Sequence, residues 1–257
     1  MANVYFALTE EFNRDRRVAV LSSGQAVVWY RLAMMSKDGD WIVREEPAAC
    51  ERILDVLAAH GARYRPAAPL DVEWLRGGWS SHFEFADPRG MRIRCDFVSR
   101  PARVPWPATQ ALFASKSNER LAVVDLPTLI AIKRTQRAKD YPIIGALARL
   151  LPPAEELAVT IDPDRVLELA RDHGRGASRE AVQLAMAGRP REDVVVSIAR
   201  EVDRLQQIDR ARMQRYLDAS AAYLAEFNRR DLGALPLAKA HEKVRALAAT
   251  MLPRTVE

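Results

Sequence analysis

Two aspartates two positions apart, Asp38 and Asp40, stand in the stretch Ser36-Lys37-Asp38-Gly39-Asp40-Trp41-Ile42-Val43. Successive side chains of a strand point to opposite faces, so an extended segment puts both carboxylates on one face. Paired oxygen donors of this kind bind a hard divalent cation. Upstream, Leu21-Ser22-Ser23-Gly24-Gln25-Ala26 reads as a small-residue turn that ends a strand and opens a helix. The first N–H groups of a helix lack intrahelical partners, and with the positive end of the dipole they attract an anion such as a triphosphate. A cation site beside a phosphate site is the outline of a nucleotide site. Asp-Gly is also a favoured hairpin dipeptide, so Asp38-Gly39-Asp40 alone is more often a turn than a metal site.

The elements that must position these groups follow in order. Tyr5 to Asn13 has helical spacing, and Arg17-Val18-Ala19-Val20-Leu21 reads as a buried strand. Ala26 to Ala33 is apolar nearly all round, which predicts an internal helix covered on both sides. Asp40 to Arg44 is a second strand, and Pro47 to His60 an amphipathic helix stopped by Gly61. The pattern His82-Phe83-Glu84-Phe85, then Asp87-Pro88-Arg89-Gly90, then Met91 to Val98 predicts a β-hairpin. On its second arm Met91, Ile93, Cys95 and Phe97 share one face, and Arg92, Arg94, Asp96 and Val98 the other, which places a third carboxylate on a polar face. Pro101, Pro105 and Pro107 predict a connecting loop, and Trp74 and Trp79 flank Gly77-Gly78 in what reads as a mobile substrate-side loop. Asp125-Leu126-Pro127 opens a helix with Asp125 as N-cap, carrying Leu129, Ile130 and Ile132 inward and leading to Lys133 and Arg137.

After Pro152-Pro153 the pattern is helical throughout, over roughly 163–172, 178–187, 191–231 and 236–251. The longest of these carries Val194, Ile198, Val202, Leu205, Ile208, Tyr216, Tyr223 and Phe227 near one stripe. That stripe must be buried, against its own domain or in a homodimer through the helical region. The division expected is a sheet domain over 1–151 and a helical domain over 152–257, giving an α+β fold: a small mixed β-sheet flanked by helices with an all-α C-terminal region.

The 257 residues are 49% hydrophobic, enough for one large core or two modest ones. The net charge is +5 and the sequence pI about 9.4, which suits an anionic substrate without demanding one. Two cysteines, Cys50 and Cys95, cannot build a disulfide framework and read as free thiols of a reducing compartment. With no secretory h-region and no bilayer-length apolar run, a cytoplasmic location and no membrane partner are expected. The histidines His60, His82, His173 and His241 show no ligand spacing.

Taken together, Ser23-Gly24-Gln25-Ala26, a helix, Ser36-Lys37-Asp38-Gly39-Asp40, a later strand with Asp96, then Leu129-Ile130-Ala131-Ile132-Lys133 and Arg137-Ala138-Lys139-Asp140 resemble the nucleotidyltransferase superfamily. They are closest in style to the nucleotidyltransferase-like proteins of abortive-infection and toxin–antitoxin systems. The resemblance covers about residues 17–150 and leaves the helical third aside. It implies Asp38, Asp40 and Asp96 as catalytic carboxylates and ligands of Mg²⁺ or Mn²⁺, and Ser23, Gly24, Lys133 and Arg137 as phosphate-side contacts for a nucleoside triphosphate. It implies transfer of a nucleoside monophosphate to a hydroxyl of RNA, protein or a small molecule, with an antitoxin among the partners. Ser23 stands for the first glycine of the family turn, Met34 for an arginine before the first aspartate, and Gly39 for the apolar residue between the carboxylates. Those departures point to the alternative of a catalytically degenerate member that binds a nucleotide or a partner. A third reading makes the helical region the working part and the sheet its scaffold.

Overall fold

The computed structural model describes residues 3–114 and 119–256. Helix α1 is Val4–Phe12, α2 Ser23–Trp29, α3 Pro47–Ala59, α4 Val72–Leu75 and α5 Trp106–Ala114. The strands are β1 Ala19–Ser22, β2 Asp38–Val43, β3 Arg63–Tyr64, β4 Ser81–Ala86 and β5 Arg92–Val98. Then follow α6 Leu126–Lys133, α7 Tyr141–Ala148, α8 Pro153–Val159, α9 Pro163–His173, α10 Glu180–Met186, α11 Arg191–Arg229 and α12 Leu237–Met251. The five strands form one mixed sheet in the order β1-β2-β5-β4-β3, with β2 and β5 parallel and the other pairs antiparallel. The fold is thus α+β, a small sheet flanked by helices with a helical C-terminal region. Among the described residues no helix is long and apolar enough to cross a membrane.

The chain divides into two compact units, one of Met1–Val124 with Gln214–Glu257 and one of Asp125–Met213. The division expected at 151 and 152 falls inside the second unit. The reason lies in the core of the first: Tyr223 and Phe227 of α11, and Leu237, Ala240, Val244 and Leu247 of α12, join the cluster built on Trp41, Cys95, Phe97 and Ile53. The C-terminal helices therefore complete the sheet's own hydrophobic core. In the second unit Val194 and Ile198 pack with Val166, Leu169 and Val182 of α9 and α10.

The stripe of α11 accordingly has two buried ends, and Ile208 between them is 57% exposed, against the expectation of a continuous buried face. Helix α2 departs similarly. It ends at Trp29, which is 47% exposed, because Arg31 takes a left-handed φ of 60° that no helix continues, leaving Leu32 and Ala33 outside. The Gly77-Gly78 loop is packed against the rest of the first unit. Trp74 and Trp79 are buried, the Trp79 indole donates to the Pro253 carbonyl at 2.8 Å, and the C-terminal segment lies against Gly77 where a Cβ would meet the Arg254 carbonyl oxygen. The proline stretch at 101–107 includes the start of α5, with the prolines in or before its first turn, where a missing N–H costs nothing. Beyond the sheet, Val123 makes an isolated parallel bridge to Leu21.

The Asp-Gly dipeptide is not a turn. It lies in β2, and Gly39 is there because a Cβ would come within 2.4 Å of both the Trp41 ring and the Tyr5 ring. We expect Gly39→Ala to lose about 1–3 kcal/mol of stability through overpacking, read as a fall in the urea midpoint. A variant as stable as the parent would show that Trp41 and Tyr5 move aside freely.

Candidate functional site

Three carboxylates share one face of the sheet through simple alternation and register. On β2 the face carrying Gly39 and Trp41 turns into the core, leaving Asp38 and Asp40 on the other, both half-buried. Parallel pairing of β2 with β5 places Asp40 opposite Asp96 and Asp38 opposite Arg94. One strand further on, antiparallel pairing places His82 opposite Asp96 and Glu84 opposite Arg94.

The backbone around the aspartates is held from several sides. Ser22 Oγ donates to the Asp40 carbonyl at 3.1 Å, and Tyr5 Oη donates to the Lys37 carbonyl at 2.6 Å. The buried Gln25 of α2 donates to the Ser36 carbonyl at 2.8 Å and accepts from Asn3 at 2.9 Å. Burial, with Cys95 and the aspartates nearby, pushes the Tyr5 phenol up to about 12, so it stays a donor. Gly24 is required by close approach: a Cβ would lie 2.2 Å from Ser36 Oγ. Ser23 begins α2 with a left-handed φ of 50°, and the helix is seven residues long. The small-residue turn thus has a packing role in drawing α2 against the loop that leads into Asp38.

Arginines answer two of the carboxylates. Arg65 Nη1 donates to Asp96 Oδ1 at 3.1 Å, and its Nε lies 3.7 Å from Glu84. Arg94 Nη1 is 3.6 Å from Asp38 Oδ1, beyond hydrogen-bond reach, and that oxygen is buried with no hydrogen-bond partner. His82 Nε2 is 2.9 Å from Ser80 Oγ, and burial together with Arg65 lowers its pKa to about 4, so the ring is neutral. Arg65, His82 and Gln25 escaped the sequence reading because only strand pairing and the packing of α2 bring them to this face.

Burial raises the Asp96 carboxyl to about 6, and Asp38 adds to this while Arg65 and Arg94 oppose it. The native state then holds a proton that the unfolded state releases between about pH 4 and about pH 6. In chelator, stability contributed by Asp96 should be full below about pH 4 and lost as pH rises through about 6, by about 1–3 kcal/mol. Asp96→Asn should flatten that slope in denaturant titrations across this range, and an unchanged slope would assign the proton elsewhere.

As donors for a divalent cation the residues fit in part. Asp38 and Asp40 are hard oxygen donors on one face, and Asp38 Oδ1, ion-paired with Arg94 at 3.6 Å, makes no hydrogen bond. Mg²⁺ is ordinarily held by one or two carboxylates with water and substrate phosphate completing the octahedron. A three-carboxylate cage is not formed: among the described residues no group of three or more His, Cys, Asp or Glu is placed to hold a metal ion, and Asp96 is taken by Arg65.

The remaining expected residues lie in the second unit, where the Lys-Arg-Asp segment folds on itself. Buried Asp140 accepts from Thr135 Oγ1 at 2.7 Å and pairs with Arg137 at 2.8 Å, and Lys133 Nζ lies 3.8 Å away. Asp125 caps α6 by accepting from the Thr128 N–H at 2.8 Å.

No family model and no curated protein matches this chain. Among solved structures it is similar to JHP933 from Helicobacter pylori, at 12% identity and a TM-score of 0.41, covering 82% of this chain and 93% of that one. It is similar also to an H. pylori protein described as a candidate nucleotidyltransferase, at 12% identity and a TM-score of 0.40, covering 81% and 94%. At those values neither likeness bears on the chemistry of this chain.

Proposed function

We propose that the first unit is the catalytic part of a metal-dependent phosphoryl-group transferase. More particularly, it would transfer a nucleoside monophosphate from a nucleoside triphosphate to an acceptor hydroxyl. The observation that carries this reading is the placement of Asp38 and Asp40 on one face of β2, opposite Arg94 and Asp96 on the parallel strand, with Asp38 Oδ1 buried and unbonded. Asp38 and Asp40 would hold Mg²⁺ or Mn²⁺, which when bound supplies neutralisation of the triphosphate charge. Asp96, ionised above about pH 6, would accept the proton of the attacking hydroxyl. That oxygen bonds to the α-phosphorus, and the bond to the β-phosphate oxygen breaks to release pyrophosphate. Ser23 and Gly24 are proposed as phosphate-side contacts within this unit, and RNA, protein or a small molecule as acceptor, which would suit a toxin held in check by an antitoxin.

Incubation with each α-labelled triphosphate, Mg²⁺ and extracts of RNA and protein tests this directly. Label on a macromolecule or small product, absent from Asp40→Asn, is the expected result. No transfer from any triphosphate, with or without Mn²⁺, would reject it. A second reading, binding of a nucleotide or partner without turnover, is favoured by the arginines already set against Asp38 and Asp96. It predicts saturable triphosphate binding and no labelled product.

A further inference from the structure

A cavity of about 520 Å³ opens in the first unit between α3 and α12, floored by the segment Leu70-Asp71-Val72. It lies on the side of the sheet that Trp41 and Cys95 face, opposite the carboxylates of β2. This volume is that of a small-molecule site. One flank of each helix lines it, at three- and four-residue spacing, and Leu54, Leu70, Val72 and Leu237 make it largely apolar.

Three features define what would fit. Glu51 and Asp55 stand one turn apart on the α3 wall, and neither makes an ion pair or hydrogen bond among the described residues. Both are exposed to solvent, and like charges at this spacing repel weakly, so a cation seated between them would be favoured. The third acid, Asp71, is already satisfied: Arg245 lies 2.7 Å away, and its other oxygen caps α4 through the Glu73 N–H. Arg245 is therefore committed and does not neutralise the pair.

The second feature is a fixed donor. Tyr64 Oη accepts from the Leu70 N–H at 3.1 Å and lies 2.7 Å from His241 Nδ1. The buried hydroxyl must place its own proton, and His241 Nδ1 is the acceptor at hand, which leaves the ring proton on Nε2. Burial and Arg245 lower the His241 pKa to about 4, so the ring is a neutral donor at ordinary pH. The third feature excludes covalent chemistry: burial, with Asp71 and Glu51, pushes the Cys50 thiol up to about 12, so no thiolate is available.

We propose that this cavity binds a small organic cation, an ammonium or guanidinium on an aliphatic stem that ends in a carbonyl or hydroxyl. The cation sits against Glu51 and Asp55, the stem lies along Leu54 and Leu237, and His241 Nε2 donates to the acceptor atom. The chain's net charge of +5 makes diffuse attraction of cations an unfavourable explanation for any binding seen. The proposal stands apart from the nucleotide reading, because the two sites lie on opposite faces of the sheet.

The test is calorimetric titration of the full chain with Nα-acetyl-L-lysine methylamide, beside its neutral norleucine analogue. Saturable one-to-one binding is expected, weakened about tenfold or more when the ammonium is removed. The double variant Glu51→Gln/Asp55→Asn should lose binding to the same extent, and relief of a surface repulsion favours its folding. Ala238→Trp, at an exposed position of α12, should block the cavity, and Asp40→Asn should bind as the parent does. A blocked Gly-Lys-Gly peptide that binds more tightly than the amino acid would place the cation on a partner's side chain, and a weaker one on a free small molecule. Absence of saturable binding, equal affinity for the norleucine analogue, or full affinity in the folded double variant would overturn the proposal.

Discussion

On the function proposed above, Asp40→Asn should abolish both nucleotidyl transfer and the thermal response to divalent cation. Its carboxylate stands on the same face as that of Asp38 and opposite Asp96. Loss of a charge at that place should lower the transfer rate by about 10³-fold or more, on the order of 4 kcal/mol of transition-state stabilisation. Cation that binds only the folded parent stabilises it by about 2.7 kcal/mol at a hundredfold excess over Kd, and that increment should vanish in the variant. Without metal the variant should be as stable as the parent or more so, because one of several neighbouring negative charges has been removed. Asp38→Asn would in addition strip Arg94 of the carboxylate 3.6 Å away. Turnover and metal-shifted melting curves, measured side by side, decide the matter. A folded Asp40→Asn protein with parental activity would end the proposed function.

Trp41→Ala should cost about 3–5 kcal/mol of stability, the largest structural effect we expect from one substitution. Trp41 lies on the far face of β2 from Asp40 and has no exposed surface. Its ring stacks on Phe97 at 5.3 Å, meets Phe12 edge-on at 5.4 Å, and fills the space above Gly39. Its indole N–H donates to Thr9 Oγ1 at 2.8 Å, so truncation also removes a buried hydrogen bond, while that hydroxyl keeps its own bond to the Tyr5 carbonyl. Chemical denaturation read by circular dichroism gives the loss directly. A loss below about 1 kcal/mol would mean that the core around β2 closes over the cavity, which would remove Trp41 as the anchor of the strand that presents Asp38 and Asp40.

Much of the element pattern was legible because short-range rules generate it. The hairpin of β4 and β5 follows from alternation on both sides of Asp87-Pro88-Arg89-Gly90, where Asp87 accepts from the Arg89 and Met91 N–H groups and Gly90 takes a φ of 79°. The starts of α3 and α6, and the extents of α9, α10 and α12, follow from caps, prolines and apolar spacing within one turn. The shared face of Asp38 and Asp40 follows from strand alternation alone.

Misreadings arose where the deciding contact is distant in sequence. The apolar run after Ala26 did not continue as helix, because composition does not report the backbone reversal at Arg31. Gly77 and Trp79 looked mobile because their partners, Arg254 and Pro253, lie at the other end of the chain. The short β3 and α4 carry too few residues for a periodic signal, and yet β3 leads to Arg65, which donates to Asp96.

The sequence by itself determined the α+β class, the helical character beyond Pro153, and the presence of paired acids on one strand face, since each rests on periodicity or local capping. Only the tertiary structure decided which strands stand side by side. The parallel partnership of β2 with β5 brings Asp96 opposite Asp40, and strand order beyond that brings His82 and Arg65 to the same face. It likewise decided that α12 and the end of α11 belong to the core of the sheet. The physical reason is common to all of these. Alternation fixes the direction of a side chain within its own element, whereas register, burial and charge pairing depend on chain segments dozens of residues away, selected by how the whole apolar surface closes.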